Sequence, residues 1–310
     1  MKEWVNSPSF DNTVQKWSAK TKNLIIGVCM AIVVVGVCYI ILSPIFGIIS
    51  RAIMTPEDAV NPLIFLIPRN FTLDNIRFAV IYMDYWTTLA HTLAFSLGFA
   101  LLHVLICSMV GYGFARFKFP FSNALFALVI VSIVVPVQSY MIPMFLNFRN
   151  FLGTDLNLLN TYWSLGLLTV TGVGLRSGLY IYIFRQFFRG LPKEIEESAF
   201  IDGAGPLYTY AKVMIPNAVP AIVTVLLFAF VWHYNDTFYT SLLMTNINFL
   251  SSRLIGLGPQ FGMMESVQSP LLIQMVVFGG VLISIAPILT IYLFLQRYFV
   301  EGLERSGIVG

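Results

Sequence analysis

The segment LPKEIEESAFIDGAGPLYTYAKVMIP, residues 191–216, lies between two long apolar runs at about 161–184 and 220–244. The segment contains six charged residues, whereas each run contains one, Arg176 in the first and Asp236 in the second. Each run is long enough to cross the ~30 Å hydrocarbon core of a bilayer as a helix, at about 1.5 Å per residue. The pattern predicts a polar loop between two membrane spans, and the same contrast organises the rest of the chain.

The composition is typical of an integral membrane protein. Of the 310 residues, 57% are hydrophobic and 11% are charged, and the mean hydropathy is +0.80. Soluble domains have about 25% charged residues, so this chain cannot cover a surface that faces water on all sides. The net charge of +3 is thinly spread and forms no basic block, which argues against a nucleic-acid partner. The three cysteines lie in apolar runs without metal-site spacing, and no metal centre is predicted.

Six apolar segments are long enough to span a bilayer. They cover residues 24–50, 88–112, 123–146, 161–184, 220–244 and 270–296. With the N-terminus inside, the inner loops and termini hold twelve of the eighteen lysines and arginines and the outer loops hold five, as the positive-inside rule requires. We therefore predict an all-α integral membrane protein with six transmembrane helices and both termini in the cytoplasm. Residues 1–23 form a cytoplasmic N-terminal segment, residues 24–310 one transmembrane domain, and residues 185–219 a cytoplasmic loop.

Two short helices are predicted within this loop. Leu191–Phe200 has apolar residues at helical spacing, with Pro192 at the first helical position and glutamates in the first turns, where the helix dipole favours anions. Asp202 and Gly203 mark a turn, and a second helix follows over Pro206–Met214. A short amphipathic helix at a membrane face suits docking to another protein; the alternative is a surface helix without a partner.

The loop also carries a spaced motif. It reads Glu197-Ser198-Ala199, three residues, Gly203, nine residues and Val213-Met214-Ile215-Pro216, close to the pattern E-A-A, G and I-x-L-P. Together with Phe71-Thr72-Leu73-Asp74-Asn75, Trp232-His233-Tyr234-Asn235-Asp236 and Gln296–Leu303, this motif resembles the inner-membrane permeases of ABC importers, in the carbohydrate-uptake group related to the maltose permease subunits. The resemblance covers about residue 60 to the end, and its departures, Ser198, Val213 and Ile215, are conservative.

The resemblance implies a transport subunit and not an enzyme. Such a permease forms the path for a sugar or oligosaccharide by alternating access, beside a second permease subunit that is often a different chain. An ABC ATPase dimer supplies the energy, and an extracellular solute-binding protein delivers the sugar at the cytoplasmic (inner) membrane of a prokaryote. The residues implied in coupling to the ATPase are Glu196, Glu197, Ala199, Phe200, Asp202, Gly203 and Ala204.

No cofactor is expected on this chain, since ATP and Mg²⁺ belong to the partner ATPase in the family that it resembles. The sequence supports this independently, because it contains no G-x-x-x-x-G-K-[ST] phosphate-binding loop. The energy for transport is therefore expected to come from another protein.

Four polar residues within the predicted spans are candidates for the substrate path: Arg176, Gln138, Asn235 and Asp236. An arginine at mid-membrane costs at least about 2.5 kcal/mol, so Arg176 is expected to face water, a partner or the bundle interior. It either donates to sugar hydroxyls or a sugar carboxylate, or forms a structural ion pair, for example with Asp236. Gln138 lies between Pro136 and Pro143, which are expected to kink the third span. Asn235 and Asp236 line the path or form hydrogen bonds between helices.

Three other interpretations are open. The chain is a permease for another solute of the same transport class, or an ion-coupled secondary transporter in which Arg176 and Asp236 form a relay, or a membrane scaffold that transports nothing. The loop motif favours the ATP-driven permease over the second, and the charged residues within spans argue against the third. Gly174 and Gly178 form a G-x-x-x-G that favours close helix packing.

Overall fold

The computed structural model describes residues 8–64 and 66–307, which are mostly helical, and the predicted all-helical class is confirmed. The main helices are α1 (Pro8–Ala52), α2 (Asp74–Tyr82), α3 (Tyr85–Arg116), α4 (Ser122–Val134), α5 (Met141–Arg149), α6 (Tyr162–Val170), α7 (Ser177–Gly190), α8 (Glu194–Ile201), α9 (Val219–Tyr234), α10 (Phe238–Leu243), α11 (Leu250–Met264) and α12 (Pro270–Gly307). Shorter helical turns cover Pro56–Ala59, Val137–Tyr140, Phe151–Gly153, Pro206–Thr209, Tyr210–Met214 and Ile215–Asn217.

Within the described residues, three helices are long and apolar enough to cross a membrane. They are Lys22–Ala52 of α1, the whole of α3, and Pro270–Phe294 of α12. Two bent pairs raise the number to five if each pair is one span: Ser122–Val134 with Val137–Arg149 at 101°, and Pro206–Asn217 with Val219–Tyr234 at 81°. Five of the six predicted spans therefore overlap a long helix or a bent pair.

The remaining predicted span, 161–184, is interrupted, because α6 and α7 are separate helices. Gly172 has φ +75°, and the amides of Gly172 and Val173 donate to the carbonyls of Thr169 and Leu168, each at 3.0 Å. These two bonds form a Schellman motif, which ends a helix and satisfies its last carbonyl groups. The expectation of one continuous helix is wrong here, since Gly172 takes a left-handed conformation that a helix interior excludes.

The third and fifth predicted spans are also divided. Val135 ends α4 in an extended conformation before Pro136, as the steric restriction on the residue before proline requires. Pro143 lies in the first turn of α5, where no N–H donor is needed, and the helix continues through it. The predicted kink is thus confirmed at Pro136. The segment 220–244 divides into α9 and α10 at Asn235–Thr237.

Helix α3 packs against both α7 and α9, and α12 packs against α9, α2 and α11. Helices α3 and α7 approach closely at Gly111, where an added Cβ would lie 2.6 Å from the Cβ of Phe184 and 3.0 Å from the backbone nitrogen of Arg185. Tyr180, Phe184 and Phe188 of α7 are fully buried. The close approach of α3 and α7 fixes the place where the loop after α7 begins.

Contacts within the chain separate two compact units, Met1–Leu73 and Asp74–Gly310. In the first unit the buried Asp58 carboxylate accepts hydrogen bonds from the amides of Arg69 (2.6 Å) and Asn70 (2.7 Å), which close the loop after α1. Most described apolar side chains of α1 are exposed, as in a helix that contacts lipid. The boundary between the units lies after the first predicted span.

Candidate functional site

The loop between α7 and α9 begins at Leu191, which ends α7 in an extended conformation. Its amide still donates to the carbonyl of Phe188, so the loop helix α8 starts only at Glu194, two residues after Pro192. The prediction of a short helix is confirmed, but Pro192 is not its first residue, because Leu191 still caps the preceding helix. Three glutamates occupy the first turn of α8, as predicted.

Helix α8 ends in a second Schellman motif. The amide of Ala204 donates to the carbonyl of Ala199 and that of Gly203 to the carbonyl of Phe200, both at 3.0 Å. Gly203 has φ +83°, a left-handed conformation that glycine adopts at the least cost. The turn predicted at this glycine is confirmed, and its geometry sets the direction of the next helical segment.

The second predicted helix is present over Pro206–Thr209 and continues as a π-helical turn over Tyr210–Met214. Both parts contact α8, so the loop is compact. Four apolar side chains of this loop are exposed: Phe200 (42%), Ile201 (86%), Leu207 (73%) and Tyr208 (61%). We call these four residues the loop patch. These four lie within nine residues of sequence in a loop with six charged residues, and exposed apolar side chains rimmed by polar ones are typical of a surface that binds another protein.

The other predicted coupling residues fall into two groups. Accessible to a partner are Glu197, Asp202 and Gly203, which are exposed, and Ala199 and Ala204, which are half-buried. Glu196 is different, since its exposed fraction is 6%. Consecutive residues of a helix are about 100° apart around its axis, so Glu196 and Glu197 face different surroundings.

The Glu196 carboxylate meets the end of α3. Its Oε2 lies 2.9 Å from Nε of Arg116, and its Oε1 accepts a hydrogen bond from the Tyr112 hydroxyl. The two charged side chains are 7% and 8% exposed, so this is a buried ion pair. The Nε–H group is not aligned with the carboxylate, and the contact is therefore mainly electrostatic. Arg116 Nη2 also donates to the Leu191 carbonyl at 2.9 Å, so one arginine holds both the end of α7 and α8.

A third residue of α3 holds the second half of the loop. The side-chain oxygens of Ser108 and Tyr210 are 2.7 Å apart and buried. The Tyr112 ring packs against Tyr210 and Phe188, with ring centroids 5.3 and 5.6 Å apart. Ser108, Tyr112 and Arg116 are spaced by four and so lie on one face of α3. We call these three residues the α3 stripe, which contacts the loop before and after its turn.

Arg176 lies at the break between α6 and α7 and not within a helix. It has φ +60° and occupies the N-cap position of α7. Its guanidinium carbon lies 4.2 Å from the ring centre of the exposed Trp232 on α9, within the range of a cation–π interaction. Within the described residues no ion pair joins Arg176 to Asp236. The Asp236 oxygens instead accept from the amides of Tyr239 (3.3 Å) and Thr240 (2.8 Å) at the start of α10.

The other polar residues of the predicted spans differ in exposure. Asn235 is exposed at the end of α9, and its side-chain amide donates back to that helix at 2.9 Å. Gln138 is exposed in the turn Val137–Tyr140, where the bent span changes direction. His233 is buried, with Nε2 at 3.3 Å from Nδ1 of His103 on α3. The exposed candidates thus lie at breaks in spans, whereas the buried histidines serve helix packing.

A shallow cavity of about 290 Å³ opens beside α3, with Phe95, Phe99, His91 and Tyr162 in its walls. His91 Nδ1 lies 2.9 Å from the Asn248 carbonyl, which only accepts, so Nδ1 carries a proton. In the neutral ring Nε2 then accepts from the Tyr162 hydroxyl. The cavity therefore offers aromatic faces and the Tyr162 oxygen as an acceptor.

The family model described as "Binding-protein-dependent transport system inner membrane component" matches residues 104–305, which include the α3 stripe, Arg176 and the loop. The arabinooligosaccharides transport system permease protein AraQ of Halalkalibacterium halodurans is 28% identical over 279 residues, covering 88% of this chain and 93% of that protein. The maltodextrin transport system permease protein MdxG of Bacillus subtilis is 24% identical over 294 residues, covering 94% of this chain and 100% of that protein.

Among solved structures, a bacterial ABC transporter involved in the import of the acidic polysaccharide alginate has a chain of the same fold. The TM-score is 0.70, with 90% of this chain and 98% of that chain covered at 23% identity. The likeness at this identity concerns the fold. The resemblance noted from the loop motif is confirmed by the family match. The chain belongs to the family of inner membrane components of binding-protein-dependent transport systems.

Proposed function

We propose that this chain is one of two permease subunits of an ATP-driven importer for a sugar or oligosaccharide. An ABC ATPase dimer docks on the loop between α7 and α9, and a solute-binding protein delivers the sugar from outside. The chain is a multi-pass protein of the cytoplasmic membrane of a prokaryote, with both termini inside. It binds no cofactor and leaves ATP hydrolysis to its partner. Relatives named for arabinooligosaccharides and maltodextrin support a saccharide as the substrate.

The observation that carries this proposal is the loop patch. Ile201 and Leu207 are its two most exposed members, although the same loop carries six charged residues. Burying one such side chain contributes about 1.5–3 kcal/mol, so a partner that covers the patch gains substantial binding free energy. The Schellman turn at Gly203 holds the patch in one arrangement, which lowers the entropy that docking costs.

The test is co-purification of the chain with its tagged ATPase and second permease. We expect Ile201→Asp to lose the ATPase, because a charge replaces a large apolar side chain at the contact. The matched control is Leu63→Asp, which changes an equally exposed apolar residue (84%) in a loop predicted outside the membrane. Retention of the ATPase by Ile201→Asp at the wild-type level would contradict docking through the loop patch.

We further propose that Arg176 and its exposed neighbour Trp232, with Asn235 and Gln138, line the translocation path. An exposed guanidinium at a break in a predicted span requires water or a polar partner, because lipid solvates it poorly. A guanidinium donates to hydroxyl and carboxylate oxygens, and an aromatic face suits the C–H side of a sugar ring. Asp236 supports this region indirectly by holding the start of α10.

Uptake by Arg176→Gln tests the path, with Arg149→Gln, at the exposed last residue of α5, as the control. We expect at least about tenfold slower uptake for Arg176→Gln, since a lost charge-assisted hydrogen bond is worth roughly 1.5–3 kcal/mol. Comparing a neutral with a uronate-containing oligosaccharide shows which oxygen Arg176 binds, because only a carboxylate loses a charge partner. Normal uptake by an assembled Arg176→Gln complex would remove Arg176 from the path.

The ion-coupled alternative requires Arg176 and Asp236 to act as a pair. The Asp236 carboxylate is occupied by backbone amides of α10, and the two side chains form no ion pair in the described residues. We therefore do not propose this alternative.

A further inference from the structure

We infer that the α3 stripe is the link through which a movement of the loop reaches the membrane bundle, with the buried Arg116–Glu196 pair as its central contact. The inference rests on the proposed function, because it assigns a step within ATP-driven import. Ser108, Tyr112 and Arg116 are positioning residues in this scheme: they act through the loop and touch neither sugar nor ATP.

The covalent ends of the loop are joints and not rigid continuations of the neighbouring helices. Before α8 the chain passes through the extended Leu191 and Pro192. After the π-helical turn, Pro206–Asn217 meets α9 at 81°. A joint of this kind lets the loop pivot without turning the helix that it adjoins. A movement of the loop is therefore transmitted to the helices through side-chain contacts.

The side-chain contacts of the loop converge on α3. Glu196 binds Arg116 and Tyr112 in the first half of the loop, and Tyr210 binds Ser108 in the second half. Separating Arg116 from Glu196 would leave two buried charges without a partner of opposite charge, which is far more costly than opening an exposed pair. The loop and the end of α3 are thus expected to move together.

Helix α3 is suited to carry such a movement across the membrane. It is continuous over 32 residues, or about 48 Å at 1.5 Å per residue. The spans formed by α4 and α5, by α6 and α7, and by α9 and α10 are all broken by non-helical residues. At a distance from the loop, α3 carries His91, Phe95 and Phe99, which line the aromatic cavity. A shift of the loop would reach that cavity through one unbroken helix.

The test compares Glu196→Gln with Glu194→Gln in the complete importer reconstituted in vesicles. Glu194 is an exposed glutamate of the same helix and serves as the matched control. Retention of the ATPase, ATP hydrolysis stimulated by the binding protein, and sugar uptake are all measured. We expect sugar taken up per ATP hydrolysed to fall at least about fivefold for Glu196→Gln, the lower end of typical coupling effects, and to stay at the wild-type value for Glu194→Gln.

Tyr112→Phe is the second variant, because it removes one hydroxyl and keeps the ring that packs on Phe188 and Tyr210. We expect a smaller fall in sugar per ATP. The double variant should fall by less than the product of the single effects, since both residues act on one carboxylate.

An assembled Glu196→Gln complex with the wild-type ratio of sugar to ATP overturns the inference. If Glu196→Gln does not assemble, Tyr112→Phe decides, and a wild-type ratio in that variant has the same consequence. Failure of the wild-type chain to retain the ATPase or to import a sugar is a different result. That outcome would reject the proposed function itself, whatever the variants do.

Discussion

Gly203 and Gly205 flank Ala204 in the loop and differ in backbone conformation. Gly203 has φ +83° and Gly205 has φ −77°. Among the described residues, no atom lies within 4 Å of the Cβ that alanine would add at either position. A methyl group therefore clashes at neither site. Alanine substitutions at the two glycines differ in the backbone conformation that they require and not in packing.

We expect Gly203→Ala to lower the free energy of unfolding of the loop by about 1–2 kcal/mol, the usual cost of a left-handed L-residue. Gly205→Ala is expected to be neutral or to stabilise by up to about 1 kcal/mol, since it restricts only the unfolded chain. Amide hydrogen exchange of α8 in the two variants measures the difference. Equal protection in both would show that the left-handed turn does not limit the stability of the loop.

The sequence predicted the local conformation of single residues but not their distant partners. The turn at Asp202 and Gly203 was predictable because glycine supplies the left-handed conformation locally. The stripe of Ser108, Tyr112 and Arg116 was not, although its spacing of four is visible, because its partner Glu196 is 80 residues away from Arg116. Local pattern contains no information about which distant charge a buried arginine meets.

At the scale of elements, helices α4 and α7 approach each other at Gly178. A Cβ there would lie 2.6 Å from Oγ of Ser132 and 3.0 Å from the Val129 carbonyl oxygen. The expected role of this glycine in close packing is therefore confirmed. Gly174 lies outside any helix, where its added Cβ would come within 3.1 Å of His103 Nε2. The pair is thus a close-packing site but not a helical G-x-x-x-G.

We expect Gly178→Ala to destabilise the protein by about 1–3 kcal/mol, because overpacking forces the backbone of one helix away from the other. Gly190, the last residue of α7, is the control, since no described atom lies within 4 Å of its added Cβ. Thermal unfolding in detergent measures both. A melting temperature of Gly178→Ala equal to that of Gly190→Ala would argue against a tight α4–α7 contact.

The breaks between elements were harder to predict than the elements. Hydropathy depends on composition, so it joined α6 and α7 into one span although Gly172 ends α6. The break at Pro136 was expected because proline removes a donor and restricts its neighbour. Arg176 was predicted to lie within a helix because hydropathy does not show the break between α6 and α7. Its left-handed conformation depends on the turn that precedes it.

At the scale of the whole molecule, the proposed orientation places the loop patch inside and the α5–α6 connection outside. Tyr208 and Asp155 are exposed residues of these two regions. Both belong to the unit Asp74–Gly310. The expected number of spans and their expected orientation rest on composition and charge, and neither of these indicated a division of the chain after Leu73.

Single cysteines at these positions test the orientation, in a chain whose Cys29, Cys38 and Cys107 are replaced by serine. We expect a membrane-impermeant thiol reagent to label Asp155→Cys in intact cells and Tyr208→Cys only in inside-out vesicles. The charge bias of the loops is the physical reason. Labelling of both cysteines from the same side would require a different number of spans between them.

The π-helical turn at Tyr210–Met214 influences the orientation of the loop patch. Within it the amide of Ile215 bonds to the carbonyl of Tyr210, five residues earlier, where an α-helix would use four. Each helical residue turns the chain by about 100°, so a change of one residue in this turn rotates everything before it relative to α9. The orientation of the loop patch relative to α9 therefore depends on the number of residues in this turn. A single-residue insertion or deletion here would change the direction in which the patch faces without altering any of its side chains.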